Sequence, residues 1–420
     1  MIPLKVRAWN AQRETGESRT MPTTMPFLAA WMTAIMMAGS TAPLPVADEA
    51  ALRKALRQAA DAEEAVTILL APGTRITPTA PLVYRGRAPL VIDGRGAEID
   101  GRRLPSAGGA ATGGDLRAVL LFRTAAPVTL RNLTVRHSPA GGIALVVPAG
   151  ARGLIGMTLE HVTIAHTAGH GLHLDDNWAR EDDGDNGSVA GIRLVMRGCR
   201  IRKAGIGGPD FDGLRIDERG AGAVTALLED VAVVEAGGDG IEIDEGGPGS
   251  VVVQARGVQL ADNGSRDPED LEDGFDIDEA GPGDVVFRFG DAEVLDSRDE
   301  GLDLDEAGPG DLVVTLDQVR VESTRQEGIK LDEDQAGNIT LALRDVTVSD
   351  GRDDGVKVTE KGKGRITGSL VRVTVSDNLG TGLVARQQGG GRRGLLKVDG
   401  LLLTRNAGAP TPDLAGVDMR

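Results

Sequence analysis

The sequence predicts an all-β fold, a single parallel β-helix with coils of about 27 residues, and three observations carry that prediction. First, one phrase recurs: an acidic residue, glycine, two apolar residues alternating with polar ones, then Asp-Glu. It reads Asp212-Gly-Leu-Arg-Ile-Asp-Glu218, Asp239-Gly-Ile-Glu-Ile-Asp-Glu245, Asp273-Gly-Phe-Asp-Ile-Asp-Glu279 and Glu300-Gly-Leu-Asp-Leu-Asp-Glu306, then Glu327 to Glu333, Asp354 to Glu360 and a worn copy at Thr381 to Ala385. Its glycines, at 213, 240, 274, 301, 328, 355 and 382, are 27 apart except for one step of 34. A fixed period of this size marks a solenoid. Second, the apolar pairs (Leu214/Ile216, Ile241/Ile243, Phe275/Ile277, Leu302/Leu304) alternate with polar residues, the period of a strand with one buried face. Third, a Gly/Pro turn such as Gly281-Pro-Gly283 and two more short alternating runs fill each interval. Three strands per coil leave no room for a crossover helix, so like strands stack about 4.8 Å apart.

The chain has 420 residues, which a repeat array can spend on one elongated body. Its 59 glycines supply turns, and with only 2% aromatics the core must be aliphatic. A net charge of −17 argues against nucleic acid and anionic membrane as partners. The single cysteine, Cys199, excludes an internal disulfide. Residues 1–47 read as an export segment. Lys5, Arg7, Arg13 and Arg19 precede an apolar run from Phe27 to Ala38, too short to span a bilayer, and small residues follow at Ser40, Ala42 and Ala47. The alternative is an anchoring N-terminus, and the true start is open between Met1, Met21 and Met25. A periplasmic or secreted monomer, with no membrane insertion once the signal is removed, is therefore expected. The β-helix domain is placed at 48–408 and a C-terminal tail at 409–420.

From Asp48 to Ala62 the spacing of Ala51, Leu52, Leu56, Ala59 and Ala60 predicts an amphipathic helix. It would cap the open edge of the first coil. Strands follow, ending in Ala71-Pro-Gly73, Ile92-Asp-Gly94 and Ile99-Asp-Gly101, and then comes Asn132-Leu-Thr-Val-Arg136. These segments, with the Gly-Ile/Leu phrases, resemble the pectin-lyase-like superfamily of right-handed parallel β-helices. The resemblance covers nearly all of 48–408. It implies the right-handed fold and leaves activity open among lyases, hydrolases, epimerases and adhesins. Two insertions, at 177–188 and 263–272, break the period and are expected to wall a binding face.

If the apolar pairs point inward, the residues between and just after them point outward and stack by coil. One column reads His173, Arg215, Glu242, Asp276, Asp303, Lys330 and Lys357, and the next reads Asp175, Asp217, Asp244, Asp278, Asp305, Asp332 and Thr359. Glu242, Asp244, Asp276, Asp278, Asp303 and Asp305 form a patch of six carboxylates, whose repulsion a divalent cation relieves. Ca2+, which accepts several oxygen ligands in flexible geometry, is the expected ion. The alternative is a solvated acidic ladder neutralised by Lys330, Lys357 and Arg215. Resemblance to calcium-dependent pectate lyases implies β-elimination on an acidic, uronate-containing polysaccharide. Lys330 would be the base, with Lys357 and Arg215 handling substrate. The competing reading of Lys330 is an inter-coil salt bridge to Asp303 or Asp332, and the competing reading of the protein is a non-catalytic cation-binding or adhesive envelope β-helix.

Three further motifs bear on chemistry. Gly169-His170-Gly171, with Asp175-Asp176 and Arg200-Ile-Arg202, resembles part of the polygalacturonase set, but Asn-Thr-Asp is missing and the Asp pair follows the histidine. His161, His166, His170 and His173 lack zinc spacing and read as surface histidines. Asp182-Asp-Gly-Asp-Asn-Gly187 resembles half a calcium loop without its closing glutamate. Trp178 and Tyr84 are too few to stack neutral sugars, so any glycan recognition should be ionic.

Overall fold

The computed structural model describes residues 42–106, 117–177, 187–266, 271–389 and 392–420. The expected export segment up to residue 41, Trp178 and Asp182–Asn186 lie outside the described residues. The fold is a right-handed parallel β-helix. Every strand pairing is parallel, and twelve short strands, from Leu82–Tyr84 to Asp413–Ala415, stack into one sheet. All the repeated phrases belong to it. Their register is direct, Leu214 to Ile241 to Phe275 to Leu302 to Ile329 to Val356 to Leu383.

The second and third runs of each coil form one larger sheet, often as a single bent strand. Val285–Leu295 and Leu312–Glu322 are continuous, and each bends at one residue in left-handed conformation, Asp291 (φ 48°) and Gln318 (φ 58°). The same turn falls at Asn132 and Arg372, so polar residues that tolerate this region mark the corner coil after coil.

Glu49–Ala60 is the cap helix. Asp48 accepts the Ala51 N–H at 2.8 Å, and Leu52, Ala55, Leu56 and Ala59 are buried against the first coil. A strand not expected from sequence, Leu44–Val46, pairs with Ile68–Leu70 ahead of the cap. At the other end the expected tail is part of the solenoid. Asp413–Ala415 pairs with Val384–Arg386 and Val417–Met419 with Gly394–Leu396, so three-residue strands too short to show periodicity add a last rung.

The core is mostly aliphatic; among its few aromatics Phe275, Phe287 and Phe289 cluster, with ring centroids 5.1 to 6.1 Å apart. The repeat glycine is a packing requirement. A Cβ on Gly301 would sit 2.5 Å from the Gly328 carbonyl oxygen of the next coil, and one on Gly213 would sit 2.6 Å from that of Gly240.

Candidate functional site

Because the repeat register is exact to the residue, the twelve-stranded sheet brings the two expected columns together. Arg215, Glu242, Asp276, Asp303, Lys330 and Lys357 are successive partners, and so are Asp217, Asp244, Asp278, Asp305 and Asp332. The six carboxylates thus face outward on three adjacent strands. They shield one another: Glu242, Asp244 and Asp303 are each less than a tenth exposed, although they lie on the outer face.

The cations sit at the two ends of this patch. Arg215, whose side chain is 11% exposed, donates to Asp217 at 3.0 Å and Asp244 at 2.7 Å, and also pairs with Glu242 and Asp212. Arg219 gives Asp244 a second guanidinium at 2.9 Å. At the far end Lys330 donates to Asp303 at 2.5 Å and lies 3.7 Å from Asp305 and 3.8 Å from Glu300. The inter-coil salt bridge to Asp303 is therefore present, and Asp332 pairs with Lys361 instead, at 3.1 Å. Lys357 donates to Glu327 at 2.5 Å. Burial opposes charge on Lys330, but Asp303 and Asp305 outweigh it and push its pKa up.

Between these ends the middle coil has no such partner. Among the described residues, neither Asp276 nor Asp278 takes part in an ion pair within 4 Å. Burial, then Asp278, Asp239 and Asp303, push the Asp276 carboxyl well above the usual range. Asp239, Glu242 and Asp276 each offer an oxygen within 4.8 Å of the others. Burial chiefly, together with neighbouring acids, also raises Asp244 to about 7, Asp303 to about 8 and Asp305 to about 6. The buried Oδ1 atoms of Asp303, Asp305 and Asp332 have no hydrogen-bond partner. Acceptor-only oxygens with nothing to accept from are the donor set a divalent cation satisfies, so these residues fit such an ion.

Two sets of residues join the site that sequence reasoning did not assign. The acid that opens each phrase is buried at the edge of the face and ties coils together. Asp212 accepts the Asp239 N–H at 2.9 Å, and Asp273 accepts the Glu300 N–H at 2.7 Å. Asp239 and Asp273 then contribute carboxylates beside the patch. The glutamate that closes each phrase points into the rod. Glu279 accepts from Gly281 N and Gly283 N at 3.1 Å each, and Glu333 from Gln335 N at 3.0 Å and Gly337 N at 2.7 Å. Burial first, then the carboxyl of the next coil, holds Glu218 and Glu279 at about 9.

The histidines divide. His161 and His166 occupy left-handed turn positions, whereas His170 and His173 stand on the acidic face with ring centroids 4.7 Å apart. His173 is not a surface residue. It is 3% exposed, its Nε2 lies 2.6 Å from Asp217, and with Asp175 and Asp217 it forms another group of potential metal ligands. Its burial on the outer face follows from the stacking of neighbouring side chains on the strand, which single-residue exposure rules do not capture.

Fold and site together define a parallel β-helix whose acidic face can coordinate a divalent cation. No protein-family profile matches the chain, and neither does any curated protein sequence. Among solved structures it is similar to the Azotobacter vinelandii mannuronan C-5 epimerase AlgE4 A-module (12% identity, 91% of this chain and 97% of that one, TM-score 0.40). It is also similar to PfbA, a surface adhesin of Streptococcus pneumoniae (9% identity, 87% and 92%, TM-score 0.40), and to the periplasmic alginate epimerase AlgG (11%, 87% and 83%, TM-score 0.39). At such identities the likeness concerns coil architecture alone. Among the described residues no helix is long and apolar enough to cross a membrane.

Proposed function

We propose that this is an exported protein whose acidic face binds a uronate-containing polysaccharide through Ca2+. The observation that carries the reading is the unpaired middle coil, with Asp276 between Asp239 and Glu242, flanked by cations at both ends of the patch. In it Glu242, Asp244, Asp276, Asp278, Asp303 and Asp305 would hold the ion, which would supply positive charge to sugar carboxylates.

If the protein is also catalytic, the reaction is β-elimination. The C5–H bond breaks, its electron pair forms the C4–C5 double bond, and the C4–O bond leaves with the glycosidic oxygen, which takes up a proton. Bound Ca2+ would supply acidification of the C5 proton by holding the uronate carboxylate. Lys330 would accept that proton, with Lys357 and Arg215 on substrate carboxylates. Lys330 can do so only once Asp303 and Asp305 are otherwise neutralised, because their charges now hold its proton. Arg215, committed to five carboxylates, serves better as a strut than as a clamp.

The test is ultraviolet absorbance of the unsaturated product on polygalacturonate and alginate, with Ca2+ and with chelator. A calcium-dependent rise that Lys330→Ala abolishes supports elimination. Calcium-dependent binding without product supports the non-catalytic reading, which the ion-paired state of all three basic residues favours.

A further inference from the structure

Beside the acidic face runs a row of the opposite sign. Arg298, Arg325 and Arg352 fall 27 residues apart, each five residues before the outward residue of the next strand, Asp303, Lys330 or Lys357. They stack on successive coils. The strands before them pair Leu295 with Glu322 and Glu322 with Ser349, and those after them pair Leu302 with Ile329 and Val356. Backbone bonds join the turns themselves, Arg325 N to Asp299 O at 3.0 Å and Arg352 N to Thr324 O at 3.1 Å.

In a chain of net charge −17, most other arginines of the repeats have an acidic partner, as Arg344 has Asp317 and Arg372 has Asp345. Among the described residues these three guanidiniums have none within 4 Å and donate no hydrogen bond. The Arg298 Nε is buried without a partner. Arg325 is held down by slight burial and then by Arg298 and Arg352. Like charges one coil apart, about 4.8 Å, repel, and among the described residues no ion pair within 4 Å relieves them.

We propose that Arg298, Arg325 and Arg352 form a rail that binds the carboxylates of a uronate polymer lying along the rod axis. A guanidinium matches a carboxylate as a two-pronged donor, and three in line at coil spacing suit a chain with regularly repeated charges better than one small anion. The adjoining carboxylates repel any polyanion, and a polyuronate is matched by arginine on one side and, through a divalent cation, by aspartate on the other. The choice of polymer rests on the proposed function, but contact with the rail needs no metal. The next position, Leu379, is 65% exposed and ends the row.

Affinity electrophoresis and calorimetry of the full chain with polygalacturonate and with alginate, in EGTA and in Ca2+, test this. The wild type is expected to bind in EGTA, more weakly as NaCl is raised. The R298Q/R325Q/R352Q variant should bind roughly tenfold or more weakly in both buffers. Asp276→Asn should lose only the increment due to Ca2+, and Leu379→Arg should bind more tightly in EGTA. Equal binding by the triple variant and the wild type, or binding by the wild type only with Ca2+, overturns the rail and leaves the calcium reading standing. No binding in either buffer overturns both. Thermal melting checks folding. If the triple variant does not fold, unchanged binding by both Arg352→Gln and Leu379→Arg overturns the rail.

Discussion

Asp276 sits where neighbouring acids outnumber cations. Its coil lies between one braced by Arg215 and one braced by Lys330. A carboxyl whose folded pKa is raised contributes stability below its unfolded pKa, near 4, and loses it as pH rises through the folded value. With Asp305 at about 6, Asp244 at about 7 and Asp303 at about 8, metal-free protein should therefore melt at progressively lower temperature between pH 5 and pH 9. Ca2+ should suppress that fall, and its stabilising effect should grow with pH as protons cease to compete. Thermal melts at pH 5, 7 and 9, with and without Ca2+, measure this. A calcium shift independent of pH would show that these groups are not the ligands. Arg215 makes a second residue-scale prediction. Removing one partner of a buried ion network strands the others, at a cost of about 3 kcal/mol, so Arg215→Ala should lower chemical-denaturation stability by that order. Lysine should rescue it incompletely, because one ammonium cannot replace the fork that spans Asp217, Glu242 and Asp244.

Within one strand, the outward columns were legible because a period of 27 fixes register wherever it is unbroken, and Glu242, Asp276 and Asp303 are direct partners as that spacing requires. The inward glutamates were equally legible but missed. Strict alternation places Glu306 on the same face as Leu302 and Leu304, yet the pair Asp305-Glu306 reads as two surface acids unless the period is followed to the corner. What tolerates a carboxyl there is the turn that follows, whose N–H groups it caps. At the same register position of a later coil, opposite Glu360, stands Gln387, a neutral isostere that accepts from Ile366 N and donates to Arg392 O. Glu306→Gln should therefore be tolerated. Glu306→Ala, which leaves the Gly308 N–H unpaired, should cost about 1–3 kcal/mol in denaturant unfolding. Similar losses from both substitutions would contradict the capping role. The first and last strands were not legible for the opposite reason, since three residues carry no period and only their neighbours define them.

For the molecule as a whole, stacking turns weak local features into continuous ones: a row of acids, a row of arginines and a capped end. Charge of one sign along an axis is tolerable only with counter-ions, and the protein supplies its own at the two ends of the patch and none at its centre. Whether that centre takes a cation is measured most directly by calorimetric titration of Ca2+ into the metal-free full chain, wild type beside Glu242→Gln/Asp276→Asn. The account predicts saturable binding by the wild type, lost in the double variant although the variant folds and, metal-free, melts at least as high. Absence of saturable binding in the wild type, or binding unchanged by the two substitutions, would contradict it.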